Sequence, residues 1–311
     1  MCGVANPMNF PTFSNAACLE RLQPPTDKIR MVLDTDTYNE IDDQFAVVYA
    51  LFSPNRLEVE ALYAAPFHNR RSSGPADGME KSYQEILRLL SKMDMSPDGL
   101  VFRGSADYLK DTNRPHRSEA AMDLIDRAMK TDVTPLYVAA IGAVTNIASA
   151  ILIEPEITKH IVVLWLGGNP FYWPNNQGAF NLVQDLNSSR LIFDCGVPLV
   201  HIPCFGVTSH LLTTMPEIER YVEGQGAIGD YLAKIFREYH AEHFAYSKVI
   251  WDISAIAYLI NHQWVDTEIV HSPILTDQMT WSFDRSRHFI RNVTFVRRDP
   301  IFRDLFTKLR S

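Results

Sequence analysis

A chain of 311 residues, 46% hydrophobic and 21% charged, can bury a large core and has the balance of an ordinary globular protein. Its net charge of −8 argues against a broad nucleic-acid or anionic-membrane surface, while an uncharged nucleoside stays open as a ligand. No apolar run is long enough to span a bilayer, and residues 1–25 lack the basic start and apolar stretch of a secretion signal. Cys2, Cys18, Cys195 and Cys204 form no CxxC pair, so a reduced, cytoplasmic protein is expected.

Residues 1–27, rich in Pro and Asn, are expected to form a loosely structured arm ahead of a single domain over 28–311. Met31 to Leu33 reads as a buried strand ending at Asp34. Ile41, Phe45, Val48, Leu51 and Phe52 then recur at helical spacing, and Pro54 ends that helix. Leu57 to Ala64 reads as a strand, 79–92 as an amphipathic helix, Val101 to Gly104 as a strand and turn, and Glu119 to Lys130 as a helix. Leu136 to Gly142 is an apolar strand closed by glycine, followed by a helix from Thr145 to Leu152. Ile161 to Gly168 repeats the strand-then-glycine pattern, Leu199 to Ile202 is another strand, and about 210–265 reads as more helical and loop-rich. Alternating strands and helices predict an open α/β fold, with a mostly parallel sheet covered by helices on both faces. In such folds the site lies outside the carboxyl ends of the strands, where Asp34/Asp36, His68/Asn69, Ile141/Gly142 and Gly167 to Asn169 all fall.

The densest chemistry lies between the first strand and the first long helix. Asp34, Asp36, Asp42 and Asp43 crowd there with Glu40 beside them. Carboxylates this close repel unless their pKa values rise or a cation joins them. A hard, oxygen-seeking metal ion is the simplest remedy, and Asp42 and Asp43 would also sit at a helix start that favours anions.

These segments, taken in order, resemble the inosine–uridine-preferring nucleoside hydrolase family. The resemblance rests on Asp34-Thr-Asp36, Asp42-Asp43-Gln-Phe-Ala46, Gly142-Ala-Val-Thr-Asn-Ile-Ala148, Gly167-Gly168, Ala179-Phe-Asn181, Gly206-Val-Thr208 and Trp251-Asp252. It implies a Rossmann-like fold with one tightly held Ca²⁺, and dimers or tetramers of a protein that takes a small ribonucleoside. By the same resemblance Asp36, Asp43 and Asp252 supply metal carboxylates and Ile141 a metal-binding carbonyl. Asp42, Asn181 and Asn69 match ribose contacts, and Asp36 the general base. His116 loosely matches a loop that reaches the base, and Asn175 or Asn176 the ribose-binding asparagine loop.

Four departures from the family pattern bear on specificity. The spacer from Thr37 to Ile41 is longer than usual, so Tyr38 or Asn39 is expected to reach toward substrate. Ala179 stands where a glutamate usually contacts the far end of the ribose, and its small size is expected to leave room for a bulkier 5′ group. Trp251 replaces a histidine linked to leaving-group protonation and resembles the purine-preferring branch, where the ring stacks on the base. Tyr172 to Gly178 matches only loosely. His68, His116, His240 and His243 are candidates for the missing acid, and Arg70-Arg71 could face an anionic group on the substrate. His240 and His243 otherwise read as a solvated helix face, and His201 and His210 as structural.

Two rival functions fit parts of the sequence. A phosphohydrolase of the haloacid dehalogenase type would make Asp34 a nucleophile and Mg²⁺ the metal, but Tyr38 stands where its threonine belongs. A non-catalytic nucleoside- or ribose-binding protein would explain the changes at Ala179 and Trp251. It would have no need of a water-activating base at Asp36.

Overall fold

Residues whose side chains are apolar on both faces of the backbone become the strands of one central sheet. In the computed structural model, which describes residues 10–112, 114–130 and 135–310, a first helix α1 (Asn15–Arg21) precedes β1 (Ile29–Thr35). There follow α2 (Asp42–Leu51), β2 (Leu57–Ala64), α3 (Pro75–Lys92), β3 (Val101–Arg103), α4 (Glu119–Met129), β4 (Leu136–Ala140) and α5 (Thr145–Ile153). Next come β5 (Ile161–Leu166), α6 (Phe180–Gln184), α7 (Leu186–Asp194) and β6 (Leu199–Ile202). The remainder comprises β7 (Leu212–Thr213), α8 (Met215–Tyr221), α9 (Gly226–Tyr239), β8 (Lys248–Val249), α10 (Ile253–Ile260), β9 (Val265–His271), β10 (Ile274–Leu275), β11 (Trp281–Ser282), β12 (Phe289–Val296) and α11 (Arg298–Leu309).

The eight-stranded sheet runs β3-β2-β1-β4-β5-β6-β12-β9. Every pairing is parallel except β12 with β9. Alternation along β1 explains the two-sided core. Met31 and Leu33 point to one face and pack with residues of α2, α3, α10 and α11, while Val32 points to the other, among residues of α4, α5 and α7. The order also locates the site. The chain moves outward from β1 through β2 to β3 and then returns to β4 on β1's other side, so a crevice opens where β1 and β4 part. Among the described residues no helix is long and apolar enough to cross a membrane.

Two stretches differ from expectation. Residues 15–21, within the expected loose arm, form a helix: Ser14 caps it, Cys18 and Leu22 are buried, and Arg291 donates to the Leu22 carbonyl at 2.7 Å. The apolar residues of this amphipathic turn were masked by the Pro- and Asn-rich sequence around them. Residues 1–9 of that arm lie outside the described residues. The last sheet strands, β9 and β12, carried no apolar run. Arg291 and Asn292 sit buried inside β12 because each finds partners, Arg291 at Thr267 and Asn292 at His201 and Glu268.

Candidate active site

The crevice is built from the ends of distant segments. β1 delivers Asp34, with Asp36 just past its end, and α2 begins with Asp42 and Asp43, both buried although ionisable. Asp252 stands at the start of α10 and is buried too. One carboxylate oxygen each from Asp42, Asp43 and Asp252 lies within 4.8 Å of the others. Asp36 adjoins Asp43, and its Oδ2 is buried without a hydrogen-bond partner among the described residues. Its carboxylate lies against Gly142, where a Cβ would come to 3.0 Å from Asp36 Cγ, so a side chain there would crowd it.

Burial and mutual repulsion raise every one of these carboxyl pKa values. Burial pushes Asp36 well above the usual carboxylate range, and the charges of Asp43 and Asp42 add to it. Burial does the same at Asp252, reinforced by Asp42, Asp43 and Asp36. Asp43 is pushed up to about 7 by burial and by Asp42, although Thr35 Oγ1 donates to its Oδ1 at 2.5 Å. Asp42 is raised by burial but held back by Lys248. Four buried, crowded carboxylates beside an unpartnered oxygen are a donor set that suits a hard divalent cation.

Lys248 carried no sequence signal. Its ammonium is buried, 2.5 Å from Glu40 Oε2 and 3.8 Å from Asp42 Oδ1. Burial opposes its charge, but Asp42 and Glu40 outweigh that and raise its pKa. The longer spacer after Asp36 is therefore clamped. Lys248 holds Glu40, Arg71 Nη1 donates to the Tyr38 and Glu40 carbonyls at 3.2 and 2.7 Å, and Asn69 Nδ2 donates to Asn39 Oδ1 at 2.6 Å.

Above this floor opens a cavity of about 510 Å³, a size suited to a small organic ligand. Asp42, Asp43, Ile141, Asn181 and Asp252 line it, together with an aromatic wall of Phe205, Tyr239 and Trp251. Phe205 and Trp251 meet edge to face, with ring centroids 5.5 Å apart, and the Trp251 backbone N–H donates to Asp42 Oδ2 at 3.2 Å.

The profile of the family described as inosine-uridine preferring nucleoside hydrolase matches residues 31–298. The chain belongs to that family. It is 24% identical over 240 residues to the probable uridine nucleosidase 2 of Arabidopsis thaliana, covering 70% of this chain and 71% of that protein. It is 26% identical over 236 residues to the pyrimidine-specific ribonucleoside hydrolase RihA of Klebsiella pneumoniae, covering 68% and 72%. The fold is similar to a purine-preferring ribonucleoside hydrolase from Gardnerella vaginalis, with a TM-score of 0.72 at 19% identity, over 90% of this chain and 98% of that one. The chain is accordingly an N-glycosyl hydrolase acting on ribonucleosides.

Several expected contacts of this nucleoside hydrolase lie elsewhere in the structure. Asn176 is buried outside the cavity lining, accepting from the Asn169 N–H and donating to the Met279 carbonyl. Asn175 accepts from the Gln177 N–H and shapes the same turn. His116 is held between Ser149 and the Tyr108 carbonyl, and neither it nor His68, His240 or His243 lines the cavity. Asparagines and histidines that close turns resemble ligand contacts in sequence because the same polar atoms serve both ends. Asn69 does line the cavity, but its amide is engaged at both ends, donating to Asn39 and accepting from the Arg71 N–H at 2.8 Å. It braces the loop instead of presenting a free amide.

Asn181 lines the cavity while its Nδ2 donates to the carbonyls of Ile141 and Leu166 at 2.8 and 2.9 Å, pinning the ends of β4 and β5 together. Ala179 corrects the expectation of a roomier 5′ subsite. It is buried in the core, whereas Gly178, Phe180 and Phe205 face the cavity. Neither Asp34 nor Asp36 is among the residues that line the cavity, although Asp36 adjoins the lining residue Asp43; Asn146 Nδ2 donates to Asp34 at 2.7 Å and burial pushes the Asp34 pKa up to about 7. The family match over residues 31–298 leaves a haloacid dehalogenase-type phosphohydrolase, with Asp34 as nucleophile, without support.

Proposed function

We propose that this chain hydrolyses the N-glycosidic bond of a purine ribonucleoside at a Ca²⁺ site formed by Asp36, Asp43, Asp252 and the Ile141 carbonyl. The observation that carries the proposal is the convergence of buried, mutually repelling carboxylates with an aromatic wall on one cavity. A bound calcium ion supplies the positive charge that offsets this repulsion and acidifies water beside it. Asp36 Oδ2, buried and without a hydrogen-bond partner, accepts the proton of the attacking water. The water oxygen bonds to C1′ as the C1′–N bond breaks, and that bond's electron pair leaves with the base.

Asp42 and the amide oxygen of Asn181 orient the ribose hydroxyls, the Asn181 nitrogen being committed to two backbone carbonyls. Positive charge that develops on the ribosyl ring is favoured by the surrounding carboxylates. Trp251, propped by Phe205, offers its face to the base. The named sequence relatives act on uridine or pyrimidines and the fold neighbour prefers purines. Trp251, the ring by which the sequence resembles the purine-preferring branch, lines the cavity edge to face with Phe205, which supports a two-ring base.

A chromatographic assay of purified protein against purine, pyrimidine and 5′-modified ribonucleosides, with and without chelator, tests this. Chelator-sensitive release of free base, fastest from a purine, is expected. Uracil released fastest would overturn the purine preference alone. Metal binding with no base released from any nucleoside would point to a non-catalytic binding protein. Separately, Trp251→Ala should raise KM by roughly tenfold for inosine and leave KM for uridine much less changed. Equal shifts for the two would rule out stacking on the base.

A further inference from the structure

We propose that Arg70 is a catalytic residue that stabilises the departing base as an anion. The assignment rests on the proposed hydrolysis and addresses what that chemistry leaves open. When C1′–N breaks, the base takes the electron pair, yet among the described residues no histidine lines the cavity to protonate it. Tyr239 is a weak acid there, its phenol pushed up to about 12 by burial and by nearby Glu40.

The cations around the cavity are otherwise employed. Lys248 is paired with Glu40 and Asp42, and Arg71 holds the Tyr38 and Glu40 carbonyls while lying over the Tyr38 ring at 4.9 Å. Arg70 lines the cavity and is exposed, and among the described residues its guanidinium makes no ion pair or hydrogen bond. Its position follows from its neighbours. Asn69 and Arg71 are tied to Asn39 and Glu40, and Glu40 in turn meets Tyr239 and Lys248. The Asn69–Arg71 turn is therefore joined through Glu40 to Tyr239, and Arg70 lines the same cavity as Tyr239 and Trp251.

An arginine suits this role because it stays charged and offers several fixed N–H donors to the nitrogen and oxygen atoms of a heterocyclic anion. The proton balance needs no further reactant. Asp36 takes the proton of the water, the base leaves paired with the Arg70 guanidinium, and it acquires a proton from solvent after release.

The test compares Arg70→Ala and Arg70→Lys with wild type on inosine, uridine and 4-nitrophenyl β-D-ribofuranoside, whose phenolate leaves readily without help. For Arg70→Ala, kcat should fall by about a hundredfold on both nucleosides and by no more than about threefold on the nitrophenyl riboside, with partial recovery in Arg70→Lys. Equal losses on all three substrates, or none on the nucleosides, would overturn the assignment. So would a wild-type preference for inosine 5′-monophosphate that Arg70→Ala abolishes, since Arg70 would then be recognising phosphate. Failure of the wild-type protein to release base or nitrophenolate would instead overturn the hydrolysis proposed above.

Discussion

Replacing Asp36 by alanine or asparagine should lower kcat on every ribonucleoside by roughly 10³- to 10⁴-fold, the scale of a lost general base that also holds the metal. The fold should survive. Asp36 is buried, its Oδ2 has no hydrogen-bond partner, and its ionised form is opposed by burial and by Asp43 and Asp42. In metal-free protein at neutral pH its removal relieves repulsion, so the variant should melt at the wild-type temperature or above it. Asparagine is the sharper probe, because it keeps the shape beside Gly142 while losing the ability to take a proton. Turnover and melting curves measured on the same preparations decide the matter. A kcat within about tenfold of wild type would exclude Asp36 as the base.

Stripping the metal should have a comparable effect on turnover, at least about a hundredfold, and a distinctive effect on stability. Asp43 is pushed up to about 7 from an unfolded value of 3.8, and Asp36, Asp42 and Asp252 are raised as well. A carboxyl whose folded pKa exceeds its unfolded one binds more protons in the folded chain. Between those two values each rise in pH therefore destabilises the fold. For Asp43 the window runs from about pH 4 to about pH 7. Chelated protein should melt at a lower temperature at pH 7.5 than at pH 5, and added Ca²⁺ should remove most of that loss. A melting temperature that rises over this interval in chelator would mean that the carboxylates are not destabilising the metal-free fold.

The sequence carried the fold where side chains answer only to their own element. β1, β4 and β5 are buried on both faces, so their apolar runs stood out, and the strand-to-helix step between β1 and α2 marked the carboxylate cluster. β12 was illegible because its buried Arg291 and Asn292 are tolerated only through partners on other segments. Lys248 and Glu40 show the same limit at the site: each looks solvated alone, and only the tertiary fold buries Lys248 and pairs it with the half-buried Glu40. The asparagines failed in the opposite direction. Asn176 and Asn181 carry identical amides. One closes a turn against Met279 and the other reaches a cavity, and nothing local separates them.

The hydrogen bond between Trp251 and Asp42 joins residues 209 positions apart, and the Lys248–Glu40 pair spans a similar distance. A chain emerging from the ribosome therefore carries Asp42 and Asp43 for roughly ten to forty seconds before Lys248 and Asp252 exist. During that interval the acidic pair has neither its buried counter-charge nor its third carboxylate. If the ion binds at the proposed site, its loading waits until Lys248 and Asp252 have been made. A product truncated before Lys248 would hold the first half of the catalytic floor but could not close it around an ion, which would leave a nascent or broken chain chemically distinct from a finished one.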